Sequence, residues 1–109
     1  PDLIVDRGKK REFCAGSVAK VFEELGGQVD YFGKPYPKVY NQAAKTKNKK
    51  VFCIGDNLNT DIKGANDQNF DSLLITNGIH RKEIKHENVE KIIKKYKVSV
   101  DYTQSKLKW

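Results

Sequence analysis

The sequence predicts an α/β fold, a three-layer α/β/α arrangement around a mainly parallel sheet. Three observations carry this. Short apolar or β-prone runs at residues 3–5, 28–32, 51–54, 72–76 and 98–102 alternate with stretches whose apolar residues recur at helical spacing. Glycine, proline and asparagine punctuate the junctions. No internal repeat, low-complexity tract or long linker interrupts the alternation. Strand–helix–strand units of this kind give parallel pairing with right-handed crossovers.

Taken in order, Leu3, Ile4 and Val5 end a strand, and the charged stretch 6–12 around Gly8 is a loop. Ser17 suits a helix N-cap, with Val18, Val21, Phe22 and Leu25 on one face and Gly26-Gly27 stopping the helix. A strand over 28–32 comes next. Gly33-Lys34-Pro35-Tyr36-Pro37 then fixes the backbone, and Pro37 can open a helix whose apolar side is Val39, Tyr40, Ala43 and Ala44.

A polar turn over 46–50 leads to Val51, Phe52, Cys53 and Ile54, a run that suits a strand buried on both faces. Gly55 ends it, and Asp56 follows at once. A helix begins near Thr60-Asp61, with Ile62, Gly64 and Ala65 toward the sheet. The next strand, 72–76, buries Leu73, Leu74 and Ile75 and stops at Asn77-Gly78. Residues 79–84 form a loop or helical turn. Val89, Ile92, Ile93 and Tyr96 mark an amphipathic helix over about 86–97. A last strand, 98–102, precedes a tail that packs through Leu107 and Trp109.

Size and composition set bounds. The 109 residues make one small domain or part of a larger one, and 38% hydrophobic residues support a modest core. No apolar run reaches the roughly 20 residues of a membrane span, and no signal-peptide pattern opens the chain. Cys14 and Cys53 lie far apart without metal-ligand spacing, which fits reduced thiols and a cytoplasmic location. The net charge of +7 could draw anionic ligands. However, the lysines spread over turns and helix faces with no interleaved aromatic stripe, so they read as solvated faces and not as a nucleic-acid surface.

The chemistry gathers at two predicted strand tips. One carries Gly33-Lys34-Pro35; the other carries Gly55-Asp56, with Asp61 five residues on. Ligands of open α/β sheets bind at that rim. Taken alone, Asp56 is also explained as a turn residue, and Asp61 as an acid favoured at a helix start. If the strands are neighbours in a parallel sheet, Lys34 and Asp56 meet at the same rim, and a lysine beside carboxylates suits phosphate and a divalent cation. His80 and His86 sit in a polar region with no paired spacing and read as bland. Tyr31, Tyr36 and Tyr40 read as packing.

The stretches G-K-P-Y-P and G-D-N-L-N-T-D-I-K-G-A resemble the third and fourth motifs of haloacid-dehalogenase-like (HAD) hydrolases. T-D-I-K-G-A followed by S-L-L-I-T-N-G-I is similar to subclass IIA, the p-nitrophenyl phosphatase and pyridoxal phosphate phosphatase-like enzymes. The helix from Cys14 to Gly27 also resembles the one preceding the lysine motif there. The resemblance spans nearly the whole chain. It implies that residues 1–109 are the C-terminal part of a Rossmann-like HAD core. It also implies a magnesium-dependent phosphatase that acts on small phosphorylated metabolites through a phospho-aspartate. In that scheme Lys34 is catalytic and stabilises the nucleophile and the intermediate. Asp56 is a magnesium ligand, Asp61 supports the metal through water or orients neighbouring groups, and Asn57 hydrogen-bonds metal-bound water.

The departures are as informative. The family's nucleophile motif, D-x-D-G-T, is absent, because Asp2 and Asp6 lie near Gly8 at the wrong spacing. Pro1-Asp2 resembles the end of an Asn-Pro-Asp loop. The second motif has no secure counterpart, and no cap domain precedes the lysine motif. The expectation is a fragment that is inactive alone, whose partners are the missing N-terminal part and cap of the same protein. The rival reading is a non-catalytic α/β binding or regulatory module for a phosphorylated or polyanionic ligand. Substrate identity and oligomeric state are not encoded in these residues.

Overall fold

The computed structural model describes residues 2–44 and 50–108. At its centre β3 (Phe52–Gly55), β4 (Asp71–Ile75) and β5 (Tyr102–Gln104) form a parallel sheet in the order β3-β4-β5. This is an α/β, Rossmann-like core. The register pairs Cys53 with Ser72, Ile54 with Leu73 and Gly55 with Leu74, and then Leu74 with Thr103. Paired residues of a parallel ladder share a face. Ser72 and Leu74 therefore look toward the helices, while Phe52, Ile54 and Tyr102 look the other way.

The core lies on the helical side. Leu58, Ile62, Leu74 and Ile92 are fully buried, with Ile84, Val89, Tyr96, Val98 and Val100 packed around them. Each such aliphatic side chain contributes about 1.5–3 kcal/mol relative to exposure. The elements supplying them are a π-helical turn (Leu58–Ile62) continuing into α3 (Lys63–Asp67), then α4 (Arg81–Glu87) and α5 (Val89–Tyr96). On the opposite face Phe52 is 48% and Tyr102 60% exposed. The strand at 51–54 is thus covered on one face, not both.

Several local expectations change. Residues 6–12 are not a loop, because β1 (Ile4–Arg7) and β2 (Lys10–Phe13) pair as an antiparallel hairpin. Gly8 turns it with φ +62°, a conformation glycine adopts without strain. The hairpin is exposed along β2 and carries an Arg7–Glu12 ion pair, which is why its sequence reads as a charged loop. Cys14, not Ser17, holds the N-cap position of α1 (Ala15–Glu24), without a side-chain cap bond; the Ser17 hydroxyl instead donates to the Leu3 carbonyl. Gly26, at φ +88°, ends that helix as expected.

Among the described residues, 28–32 join no strand ladder. Tyr31 stacks on Tyr36 at 4.7 Å and donates to Glu23, so this segment is held by side chains. α2 (Pro37–Ala43) starts on Pro37, as the sequence predicts. The turn expected over 46–50 lies, apart from Lys50, outside the described residues, as does Trp109.

The helix expected over 86–97 is two helices, α4 and α5. Asn88 separates them at φ +69°, and its side chain caps α5 by accepting from the Lys91 amide. The last strand begins at Tyr102 and not at 98. Before it, Ser99 is bridged by Asn66, and Asp101 accepts from the Ser72 amide and hydroxyl. Val98 and Val100 still pack on the core, which explains their strand-like pattern.

Candidate functional site

Asp56 follows the C-terminal end of β3, and the next turn folds back so that Asp61 lies beneath it. Gly55 makes this possible: a Cβ there would stand 2.3 Å from the Asp61 side chain. Asp61 is largely buried, its side chain only 10% exposed. Its Oδ2 accepts from the backbone amides of Asp56 (3.2 Å) and Asn57 (3.1 Å), and its Oδ1 pairs with the Lys34 ammonium. A buried carboxylate tied to a cation and two amides is a satisfied brace. Lys34 gets there from an irregular segment, not from a strand tip.

Asp56 is held from the other side. Its Oδ2 accepts from the Ile79 amide at 2.9 Å, and Gly78 approaches so closely that a Cβ would lie 2.2 Å from the Asp56 side chain. Asn57 caps the π-helical turn by accepting from the Asn59 amide at 2.9 Å, while its own Nδ2 donates to Asp2 at 3.3 Å. Behind the turn, Tyr40 reaches the Thr60 carbonyl at 3.5 Å. Its phenol is pushed up to about 12, chiefly by burial and then by Cys53, Asp61 and Asp67. Burial and then the Asp61 charge also push the Cys53 thiol up, which keeps it protonated and unreactive near neutrality.

These side chains open on a cavity of about 910 Å³ lined by Asp2, Lys34, Asp56, Asn57 and Asp61. Arg11, Arg81 and Lys82 stand on the same lining, and the sequence reading did not single out Lys82 or Arg11 for it. Lys34, Asp56, Asn57 and Asp61 are therefore brought to one cavity, with Lys34 in contact with Asp61.

A residue that sequence reasoning set aside belongs here too. His80 is 5% exposed, and its Nε2 accepts from the Leu58 amide at the head of the acidic turn. The i,i+3 pair His80-Glu83 was the available signal, since Nδ1 lies 2.9 Å from Glu83 Oε1.

As a cation site the donor set is partial. Among the described residues no group of three His, Cys, Asp or Glu side chains could hold a metal ion. Asp61 has both oxygens engaged, whereas Asp56, among the described residues, has one oxygen bonded to a neutral amide and the other without such a bond. One carboxylate beside an amide side chain suits magnesium, which retains waters and leans on substrate phosphate.

A family model for HAD-hydrolase-like proteins matches residues 31–101, and the chain belongs to that family. It is similar to the p-nitrophenyl phosphatase-like members, subclass IIA. A haloacid-dehalogenase-like hydrolase from Brucella suis 1330 is 34% identical over 72% of this chain and 32% of its own, with a TM-score of 0.61. A glycerol phosphate phosphatase from Mycobacterium tuberculosis, in complex with magnesium, is 29% identical over 67% of this chain and 23% of its own (TM-score 0.57). The p-nitrophenyl phosphatase from Archaeoglobus fulgidus shares the fold over 96% of this chain and 41% of its own, at 20% identity and TM-score 0.77. Among curated protein sequences nothing matches. The chain thus spans well under half the length of these three structures.

Proposed function

We propose that this chain is the metal- and phosphate-facing part of a magnesium-dependent phosphoric monoester hydrolase, and that its 109 residues do not turn over substrate by themselves. The observation that carries the reading is the convergence of Lys34, Asp56 and Asp61 on one cavity, with Asp61 bracing both the lysine and the Asp56-Asn57 backbone. Asp56 would hold the cation, and Asn57 lies next to the waters that it would keep. When bound, magnesium screens the charge of a phosphate. Lys34 adds a positive charge at the same place, and the pairing with Asp61 keeps its ammonium there. Arg11, Arg81 and Lys82 make the remainder of the lining suitable for a small phosphorylated metabolite.

The nucleophile of this chemistry, an aspartate that becomes phosphorylated and is then hydrolysed, belongs to sequence outside the chain. Two features suit a missing N-terminal part and cap. Phe52, Ile54 and Tyr102 expose one face of the sheet, and Val18, Val21, Phe22 and Leu25 of the first helical segment are all exposed. The reading carries with it a cytoplasmic location, which the two free thiols suit.

Titration of the chain with magnesium and inorganic phosphate, followed by amide NMR, tests the binding half. Shifts at Asp56, Asn57 and Ile79 are expected with magnesium, insensitive to added salt and lost in Asp56→Asn. Anion binding that ignores magnesium and fades with salt would instead favour a polyanion-binding module, the reading that the Arg11, Arg81 and Lys82 lining supports. Magnesium-dependent hydrolysis of p-nitrophenyl phosphate by the purified chain, lost in Asp56→Asn, would overturn the claim of inactivity.

A further inference from the structure

The segment Gly78-Ile79-His80 touches the acidic turn twice. The Ile79 amide donates to Asp56 Oδ2 at 2.9 Å, and one residue later His80 Nε2 stands 3.2 Å from the Leu58 amide. Leu58 is fully buried and opens the π-helical turn that carries Asp61. The first amides of a helical turn have no partner within it, and a buried amide left unpaired is costly. An amide can only donate, so Nε2 must present its lone pair. A neutral imidazole then carries its proton on Nδ1, where Glu83 Oε1 accepts it at 2.9 Å.

The ring is held at both nitrogens and along one face. Glu83 is itself fixed by Lys95 at 3.2 Å and by the Tyr96 hydroxyl at 3.2 and 3.3 Å. Tyr96 also meets the imidazole edge to face, with centroids 4.8 Å apart. A hydroxyl or amide could cap a helical turn more simply. A buried ring held in one tautomer by a carboxylate on α4 links the acidic turn to α4 and α5.

We propose that His80 is a positioning residue: fixed by Glu83 in its Nδ1–H tautomer, it accepts from Leu58 and holds the Asp56–Asp61 turn in the geometry of the cavity. This inference goes beyond the phosphatase reading and does not depend on it, because its test reads the turn itself without metal or substrate.

Two measurements on the chain decide it. In a long-range ¹H–¹⁵N spectrum of the imidazole, the proton is expected on Nδ1 alone, with Nε2 unprotonated; a ring carrying its proton on Nε2 overturns the proposal. Amide exchange is then compared in His80→Phe, which keeps the ring and its packing, and His80→Gln, whose Oε1 can accept from Leu58. Exchange at Asp56, Asn57 and Leu58 should rise at least about tenfold in His80→Phe while Leu74 and Ile92 change little. His80→Gln should restore most of the protection. A turn unaffected by Phe, or not rescued by Gln, would reduce His80 to core packing and overturn the proposal. If His80→Phe loosens the whole domain, the tautomer and the Gln variant decide between the two.

Discussion

Asp61 reaches back along its own turn to accept from the Asn57 amide at 3.1 Å, while its other oxygen pairs with Lys34, 27 residues earlier in the chain. One carboxylate thereby closes a local loop and a long-range contact together. Asp61→Asn keeps the shape but sets an amide group where two backbone N–H donors and an ammonium converge. We expect a loss of about 1–3 kcal/mol in urea unfolding, with faster exchange at Asp56 and Asn57. Unchanged unfolding would mean that the brace is idle.

Removing the other partner should hurt differently. Lys34→Ala leaves a largely buried carboxylate without its cation, which the two amides only partly offset. Because the lysine is half-exposed, the cost should fall below that of a fully buried pair, at about 1–2 kcal/mol. A Lys34→Ala chain as stable as the parent in urea would contradict the pairing.

Gly78→Ala tests the close approach of the Gly78 backbone to the Asp56 side chain. Its Cβ would lie 2.2 Å from the Asp56 side chain, so Asp56 must move or the 77–79 turn must shift. Overpacking of this kind costs about 1–3 kcal/mol. The Ile79 amide resonance should move with it, reporting loss of the bond to Asp56. An alanine variant with native stability and an unmoved Ile79 amide would show that the space exists.

Glu83 makes stability depend on acid pH. The His80 hydrogen bond, helped by Lys95 and Tyr96 and opposed by burial, holds its carboxyl below the ordinary 4.5. A carboxylate depressed in the folded state stabilises fully above its unfolded value, and that contribution fades as pH falls through the folded value. Glu83→Gln should therefore be less stable than the parent near neutrality by about 1 kcal/mol or less. The gap should close below pH 4.5. A gap that stays constant through acid titration would dissociate Glu83 from this linkage.

What the sequence made legible was governed by strong, local signals. The apolar runs before Gly55 and Asn77 marked β3 and β4, Pro37 marked the start of α2, and Gly26-Gly27 marked the end of α1. Lys34, Asp56 and Asp61 were singled out by type and order and Asn57 by the family resemblance, and all four line one cavity. The misreadings arose where side chains stand in for backbone pairing. Val98 and Val100 look like a strand, yet the Asn66 side chain takes both backbone groups of Ser99, the Asp101 amide donates to the Ser72 hydroxyl, and the ladder starts at Tyr102. The hairpin over 4–13 was hidden because its second strand buries nothing, so no alternation of polarity marks it. His80 was set aside because its burial comes from packing against Tyr96, a contact 16 residues away that no local pattern announces.

The open side of β3 has a colloidal consequence for the chain by itself. Among the described residues no strand pairs with its outer edge, and Phe52 and Ile54 flank that edge with exposed apolar surface. Unpaired, apolar strand edges recruit one another into extended sheets. The net charge of +7 opposes such an encounter, because two copies repel before their edges can meet. That protection ranges only about 8 Å at physiological salt and shrinks further as salt is added. Concentrated solutions should thus stay dispersed at low ionic strength and thicken into sedimenting assemblies as salt rises, with Ile54→Lys on the exposed face keeping them clear.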